Sequence, residues 1–306
     1  MSSEKPTSPA NRSKRIIKLT AFAALSCILA YAVISTGLAW LYAYFLTHPA
    51  CFSNPSPIPG LPEPEEHWLK TSDGLSLRAW YYPGENGAAI IALDGMGGAL
   101  GENLPPVEFL IRAGFGVLQI DSRACARPSS AVTLGAKEAF DAEAGLMFLQ
   151  SRPEVEIIGI FGFSMGAAAA VRSAARQVDI AAVVAEGGYF NLGEDFVEPD
   201  SRLGLPHQVF LYSIAGAYWL FSGVNPWEVS PIEDLPAISP RPLLLIYGER
   251  EADSGRALAQ YAVAREPKTL WIVPGGAHGS NYAASPGEYR RRVIEFFKKE
   301  LLESDY

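Results

Sequence analysis

Short runs of almost wholly apolar residues recur along this chain, each closed by a turn. They occupy 88–93, 116–120, 156–160, 180–184, 242–247 and 269–273. A strand wetted on one face alternates apolar and polar residues, whereas a continuous apolar run marks a strand buried on both faces. Helical patterns separate the runs. Residues 136–149 place Phe140, Ala144, Met147 and Phe148 near one face, 165–176 is alanine-rich, and 252–265 forms a third helical stretch. Ahead of them, 75–82 alternates after the turn signal Ser72-Asp73-Gly74 and pairs with 67–71 in an expected antiparallel hairpin. Near the C-terminus, Ser285 and Glu288 have capping-box spacing, with Pro286 at the first helical position. Tyr289, Val293, Phe296 and Phe297 then form a core-facing stripe. Buried strands alternating with helices specify an α/β fold, a mostly parallel sheet covered on both faces. Sites in such sheets gather at the carboxyl ends of the strands.

The N-terminal part reads differently. Residues 1–18 hold Lys5, Arg12, Lys14, Arg15 and Lys18 against Glu4 alone, and 19–47 carries no charge. About 20 apolar residues span the hydrocarbon core of a bilayer, and a charge there is costly. Trp40, Tyr42 and Tyr44 cluster toward the end of the run, where amphipathic rings favour the interface. The run exceeds the apolar stretch of a cleaved signal peptide. Ala24-Leu25-Ser26-Cys27 is a poor lipoprotein signal, and a core helix rarely runs so far uncharged. The expected organisation is a basic tail (1–18), a transmembrane helix or signal anchor (19–47), a Pro-rich linker (48–65) and a globular domain (66–306). Positive charge before a single span predicts a cytoplasmic N-terminus and a domain on the extracytoplasmic side. The linker contains Pro49, Pro55, Pro57, Pro59, Pro62 and Pro64, which favour an extended, semi-rigid spacer.

Composition narrows the function classes. With 49% hydrophobic and 19% charged residues in 306, the chain is not of disordered composition. Its net charge of −8 disfavours nucleic acid as a partner. Cys27, Cys51 and Cys125 are too few and too scattered for a disulfide scaffold or a zinc site, and Cys125 reads as a buried small residue. His48, His67, His207 and His278 have no paired metal spacing.

The chemistry is sought after each strand. Following 156–161 comes Gly162-Phe163-Ser164-Met165-Gly166 and then four alanines. This G-x-S-x-G lies between an apolar strand and a helix, where a sharp turn exposes the serine hydroxyl at a helix N-terminus. Ser164 is the candidate nucleophile. After 269–273, the Gly-rich loop Pro274-Gly275-Gly276-Ala277-His278-Gly279 supplies His278 as candidate general base. A carboxylate that orients this imidazole is expected after 242–247. Glu249, Glu251 and Asp253 stand there, and spacing alone does not choose among them. After 88–93 comes Asp94-Gly95-Met96-Gly97-Gly98, a loop that can bring a backbone amide to an oxyanion, together with that of Met165.

These residues together resemble the α/β-hydrolase family over 66–302. Thr71 to Gly74, Asp121-Ser122-Arg123 and the spacing of Gly135, Glu138 and Asp141 are similar to stretches in bacterial esterases, thioesterases and peptidase-like hydrolases. The resemblance implies a mostly parallel eight-stranded sheet flanked by helices, with a helical cap inserted at 189–239. It implies Ser164 as nucleophile, His278 as base, Glu251 as acid with Asp253 in reserve, and the Met96 and Met165 amides as oxyanion donors. Two departures stand out. Asp94 takes the place of a usual histidine, and Arg123-Ala124-Cys125-Ala126 replaces a usual Arg-Gly-His-Gly.

The implied reaction is acyl transfer on an ester or thioester through an acyl-enzyme, with no metal or organic cofactor. The expected partner is a small-molecule or lipid-like acyl substrate, with membrane contact through the N-terminal helix. Two alternatives remain: a serine peptidase or amidase of the same fold, and a non-catalytic membrane-tethered binding protein on this scaffold.

Overall fold

The computed structural model describes residues 9–51, 59–61, 63–96, 107–197 and 204–303, with the side chains of 9–12 left aside. Residues 52–58 and 62 of the Pro-rich linker and the loop at 97–106 lie outside these residues.

Eight strands form one sheet. They are β1 (Glu65–Lys70), β2 (Ser76–Tyr82), β3 (Ala88–Leu93), β4 (Gly116–Ile120), β5 (Ile157–Phe163), β6 (Ile180–Glu186), β7 (Leu243–Gly248) and β8 (Lys268–Val273). Their order is β1-β2-β4-β3-β5-β6-β7-β8. The β1–β2 hairpin is antiparallel and joins β4 antiparallel; every pairing from β4 through β8 is parallel.

Continuous apolar runs are explained by burial on both faces. Neighbours Ile90 and Ile91 in β3 are both fully buried yet face opposite sides, as successive strand residues must. Ile91, Leu118 and Ile160 pack with helices Glu138–Gln150 and Met165–Arg176. Ile90, Val117 and Phe161 pack with Tyr289, Val293 and Phe297 of helix Pro286–Leu302. Each such side chain contributes about 1.5–3 kcal/mol relative to exposure.

Three expectations need correction. The helical stretch 252–265 is two helices, Glu249–Ala252 and Arg256–Val263, because Gly255 adopts φ 76° between them. The Ser285–Glu288 capping box does not form: Ser285 precedes the helix without a side-chain cap bond. Glu288 instead accepts hydrogen bonds from Arg291 and Arg292, whose guanidinium groups out-compete a backbone amide for the carboxylate. Finally, Cys125 is no isolated small residue. It forms a disulfide with Cys51, 74 positions away, tying the chain beyond the N-terminal helix to the loop after β4.

Helix Pro9–Thr47 contains the one stretch among the described residues long and apolar enough to cross a membrane. Its apolar side chains from Ile16 to Leu29 are exposed. Its last turns are not. Ser35, Ala39, Ala43 and Thr47, spaced by four, are buried against the globular part, and the Val132 amide donates to the Thr47 carbonyl. The main neighbour is helix Gly204–Ser222, within the expected cap insertion.

Candidate active site

β5 runs straight into Ser164, which adopts φ 53° and ψ −115°, a conformation rarely taken by a side-chain-bearing residue. The two flanking glycines make the turn sterically feasible. A Cβ on Gly162 would stand 2.1 Å from the Gly166 carbonyl oxygen, and one on Gly166 would stand 2.3 Å from that of Leu93. The Ser164 amide donates to the Glu186 carbonyl at the end of β6, fixing the turn to the neighbouring strand.

The loop after β8 brings His278 across the sheet ends, so that its Nε2 lies 2.9 Å from Ser164 Oγ. Its Nδ1 lies 2.8 Å from Glu251 Oε1. A carboxylate only accepts, so Nδ1 carries the proton and Nε2 is free to accept from the serine hydroxyl. Glu251 is held in turn by the Gly248 amide at 2.7 Å and, more distantly, by Asn281 Nδ2 at 3.5 Å, both on Oε2. Asp253, the reserve acid, is exposed just past that short helix, and Glu249 accepts from the Gly275 amide instead.

Burial alone would raise the Glu251 pKa, but hydrogen bonds from His278 and the Gly248 amide outweigh it and hold the carboxyl below its ordinary value. The same bond to Glu251 raises His278, against its partial burial.

Gly95 abuts the serine: a Cβ there would lie 3.3 Å from Ser164 Cβ. Met96, the next residue, is exposed at the edge of the described loop, and Met165 opens the helix after Ser164. Asp94 is withdrawn from solvent. Burial first, and then the nearby Asp121, pushes its carboxyl well above the ordinary range.

The remaining family-like stretches converge beneath this loop. The Arg123 side chain is fully buried and donates to Asp141 at 2.9 and 2.5 Å and to Asp73 at 2.6 Å. Glu138 accepts from the amides of Thr133 and Gly135 at 2.7 and 2.8 Å. Arg123 thus gathers carboxylates from two other stretches distant in sequence, while Glu138 ties the turn at 133–135 to the start of helix Glu138–Gln150.

Sequence reasoning missed Glu186 and Asn281. Glu186 is buried at the carboxyl end of β6, accepting from Asn281 Nδ2 at 2.9 Å and from the Tyr289 hydroxyl. Burial pushes it up to about 7, although both donors oppose the shift. The strand-end rule carried the signal, since Glu186 is the only charged residue in β6. Among the described residues, no group of three or more His, Cys, Asp or Glu is arranged to hold a metal ion.

No family model matches the chain. The uncharacterized protein YfhR of Escherichia coli O157:H7 is 27% identical over 248 residues, covering 75% of this chain and 78% of that protein. The Pyrococcus furiosus esterase Pf2001 superposes with a TM-score of 0.62 at 26% identity, over 82% of this chain and 99% of that one. The acylaminoacyl peptidase of Pyrococcus horikoshii gives a TM-score of 0.59 at 21% identity, over 80% of this chain but only 42% of that one. The fold is that of the α/β hydrolases, as the resemblance implied. The esterase among its structural neighbours, at 26% identity, supports a hydrolase, and the peptidase, at 21%, shares the fold.

Proposed function

We propose that this chain is a membrane-anchored serine hydrolase that cleaves ester or thioester bonds. The observation that carries the reading is the unbroken chain from Ser164 Oγ to His278 at 2.9 Å and on to Glu251 at 2.8 Å. His278 Nε2 takes the hydroxyl proton as Ser164 attacks the acyl carbonyl. Glu251 stabilises the imidazolium, and the Met96 and Met165 amides receive the oxyanion. The imidazolium then protonates the leaving group, and water, deprotonated by the same imidazole, releases the acid. The ester reading rests on the likeness to the Pyrococcus esterase, which is longer in coverage and higher in identity than that to the peptidase. The assembled serine, histidine and carboxylate speak against a non-catalytic scaffold.

The helix ending at Thr47 serves as the anchor in this proposal, with the basic tail on the cytoplasmic side. The Cys51–Cys125 disulfide supports a catalytic domain on the extracytoplasmic side, because such bonds persist in oxidising compartments. Purified full chain in detergent is expected to hydrolyse p-nitrophenyl butyrate, and Ser164→Ala to reduce the rate at least about 10³-fold. An unchanged rate in that variant would overturn the proposal.

A further inference from the structure

We infer that helix Gly204–Ser222 is a second membrane-contacting element. It lies in the leaflet that adjoins the catalytic domain, so the enzyme draws its acyl substrate from the bilayer rather than from water. The substrate part of this inference rests on the hydrolase reading above, and the bilayer contact rests on the anchor reading alone.

Helix Gly204–Ser222 has 19 residues and no Asp, Glu, Lys or Arg. Its inner face, Ile214, Ala217 and Tyr218, packs with Ala39 and Ala43 of the N-terminal helix and with Met165 beside the nucleophile. Its outer face is equally apolar. Leu205, Val209, Tyr212, Trp219 and Leu220 are 73, 44, 56, 54 and 64% exposed. With the exposed Gly216 they recur at intervals of four and three, one continuous helical stripe. Scattered apolar residues on a surface are ordinary, but a contiguous stripe with no charge marks a covered face.

What covers it follows from what the helix is fastened to. The Tyr31 hydroxyl donates to the Pro206 carbonyl at 3.2 Å, and Phe221 makes edge contacts with Trp40 and Tyr44. The two helices therefore run side by side in the same direction. The contact uses Ser35, Ala39 and Ala43, small residues at four-residue intervals, as helix pairs in lipid do. Tyr31 precedes Trp40 by nine positions, about 13 Å along a helix at 1.5 Å per residue. With Trp40, Tyr42 and Tyr44 at the interface, Tyr31 lies within the hydrocarbon, and Pro206 beside it. A bilayer that surrounds the first helix here must also receive the start of the second. Between them a cleft of about 320 Å³ is lined by Tyr42, Asp195, Phe196, Phe210, Leu211 and Ile214. Ile214 belongs to the same apolar cluster as Met165, so this lipid-side region is continuous with the wall of the site.

Two measurements on the full chain in nanodiscs test the inference. First, the fluorescence lost in Trp219→Phe isolates that ring from the other five tryptophans. This component is expected to fall by at least half when the phosphatidylcholine carries brominated acyl chains. No bromine effect on it overturns the bilayer contact. Second, Leu205→Glu/Val209→Glu is expected to slow cleavage of a long-chain ester embedded in the bilayer at least tenfold, while the rate on p-nitrophenyl butyrate stays within twofold. Equal losses on both esters, or no loss on either, overturn delivery from the leaflet. A dimer in detergent that this double variant dissociates would assign the stripe to a second copy of the chain and also overturn the inference. A wild type inactive on both esters defeats the hydrolase reading and the substrate part together, while the quenching result still decides the contact.

Discussion

At Glu251, two hydrogen bonds outweigh burial and keep the carboxylate charged beneath an imidazole whose pKa it raises. A general base must be neutral, so kcat/KM is expected to rise with pH through the raised His278 pKa, with its acid limb above the ordinary imidazole value of about 6.5. Glu251→Gln removes the charge and admits the wrong tautomer. Its expected effect is a loss of about 10³–10⁴-fold in kcat and a displacement of the acid limb to lower pH, read from a pH–rate profile. Glu186 works in the opposite sense. Its folded pKa is raised by burial to about 7 from an ordinary 4.5. The raised carboxyl therefore costs stability as pH climbs between those values, and the full cost, up to about 3 kcal/mol, is present above pH 7. Thermal melts from pH 4.5 to 8 should show the wild type losing stability more steeply than Glu186→Gln. Parallel curves would contradict the assignment.

The elements that place the site are strand ends, and the turn after β5 tolerates almost no added volume. Gly166→Ala would put a methyl 2.3 Å from the Leu93 carbonyl oxygen, which lies in backbone that cannot swing aside. A destabilisation of about 3 kcal/mol or more is expected in denaturant titration, with loss of any activity on p-nitrophenyl butyrate in the folded fraction. This part of the molecule was legible in sequence. Glycines two before and two after a serine, between an apolar run and an alanine-rich helix, admit few other geometries. Boundaries were less legible where burial continues past the apolar core of a run, as in β5, which extends through Phe163 to the serine. The break at Gly255 was missed because a single glycine inside a helical pattern does not by itself end a helix. The choice of Glu251 over Glu249 and Asp253 was not legible from spacing either. It depends on how the Gly248 turn and the His278 loop meet in three dimensions.

At the scale of the whole molecule, the N-terminal helix is part of the fold as well as a candidate span. Its stripe of Ser35, Ala39, Ala43 and Thr47 is buried, and the Cys51–Cys125 bond closes a loop of 74 positions just beyond it. The sequence showed the apolar run but masked this second role, because small residues contribute to hydrophobicity and to close helix contact alike. The cysteines were unreadable for a different reason: pairing depends on the path of a linker that carries no periodic signal. Cys51→Ser/Cys125→Ser is expected to lower stability by about 2–4 kcal/mol, seen as a melting temperature several degrees lower than that of the oxidised wild type. Identical melts would show that the bond does not constrain the chain.

The central claim is that the Ser164 hydroxyl is activated by His278 across the sheet ends. Treating the full chain with a fluorophosphonate and mapping the adduct by mass spectrometry tests it directly. Modification of Ser164, abolished in Ser164→Ala and strongly slowed in His278→Ala, is the expected result. An unmodified Ser164, or labelling that proceeds equally fast without His278, would contradict it.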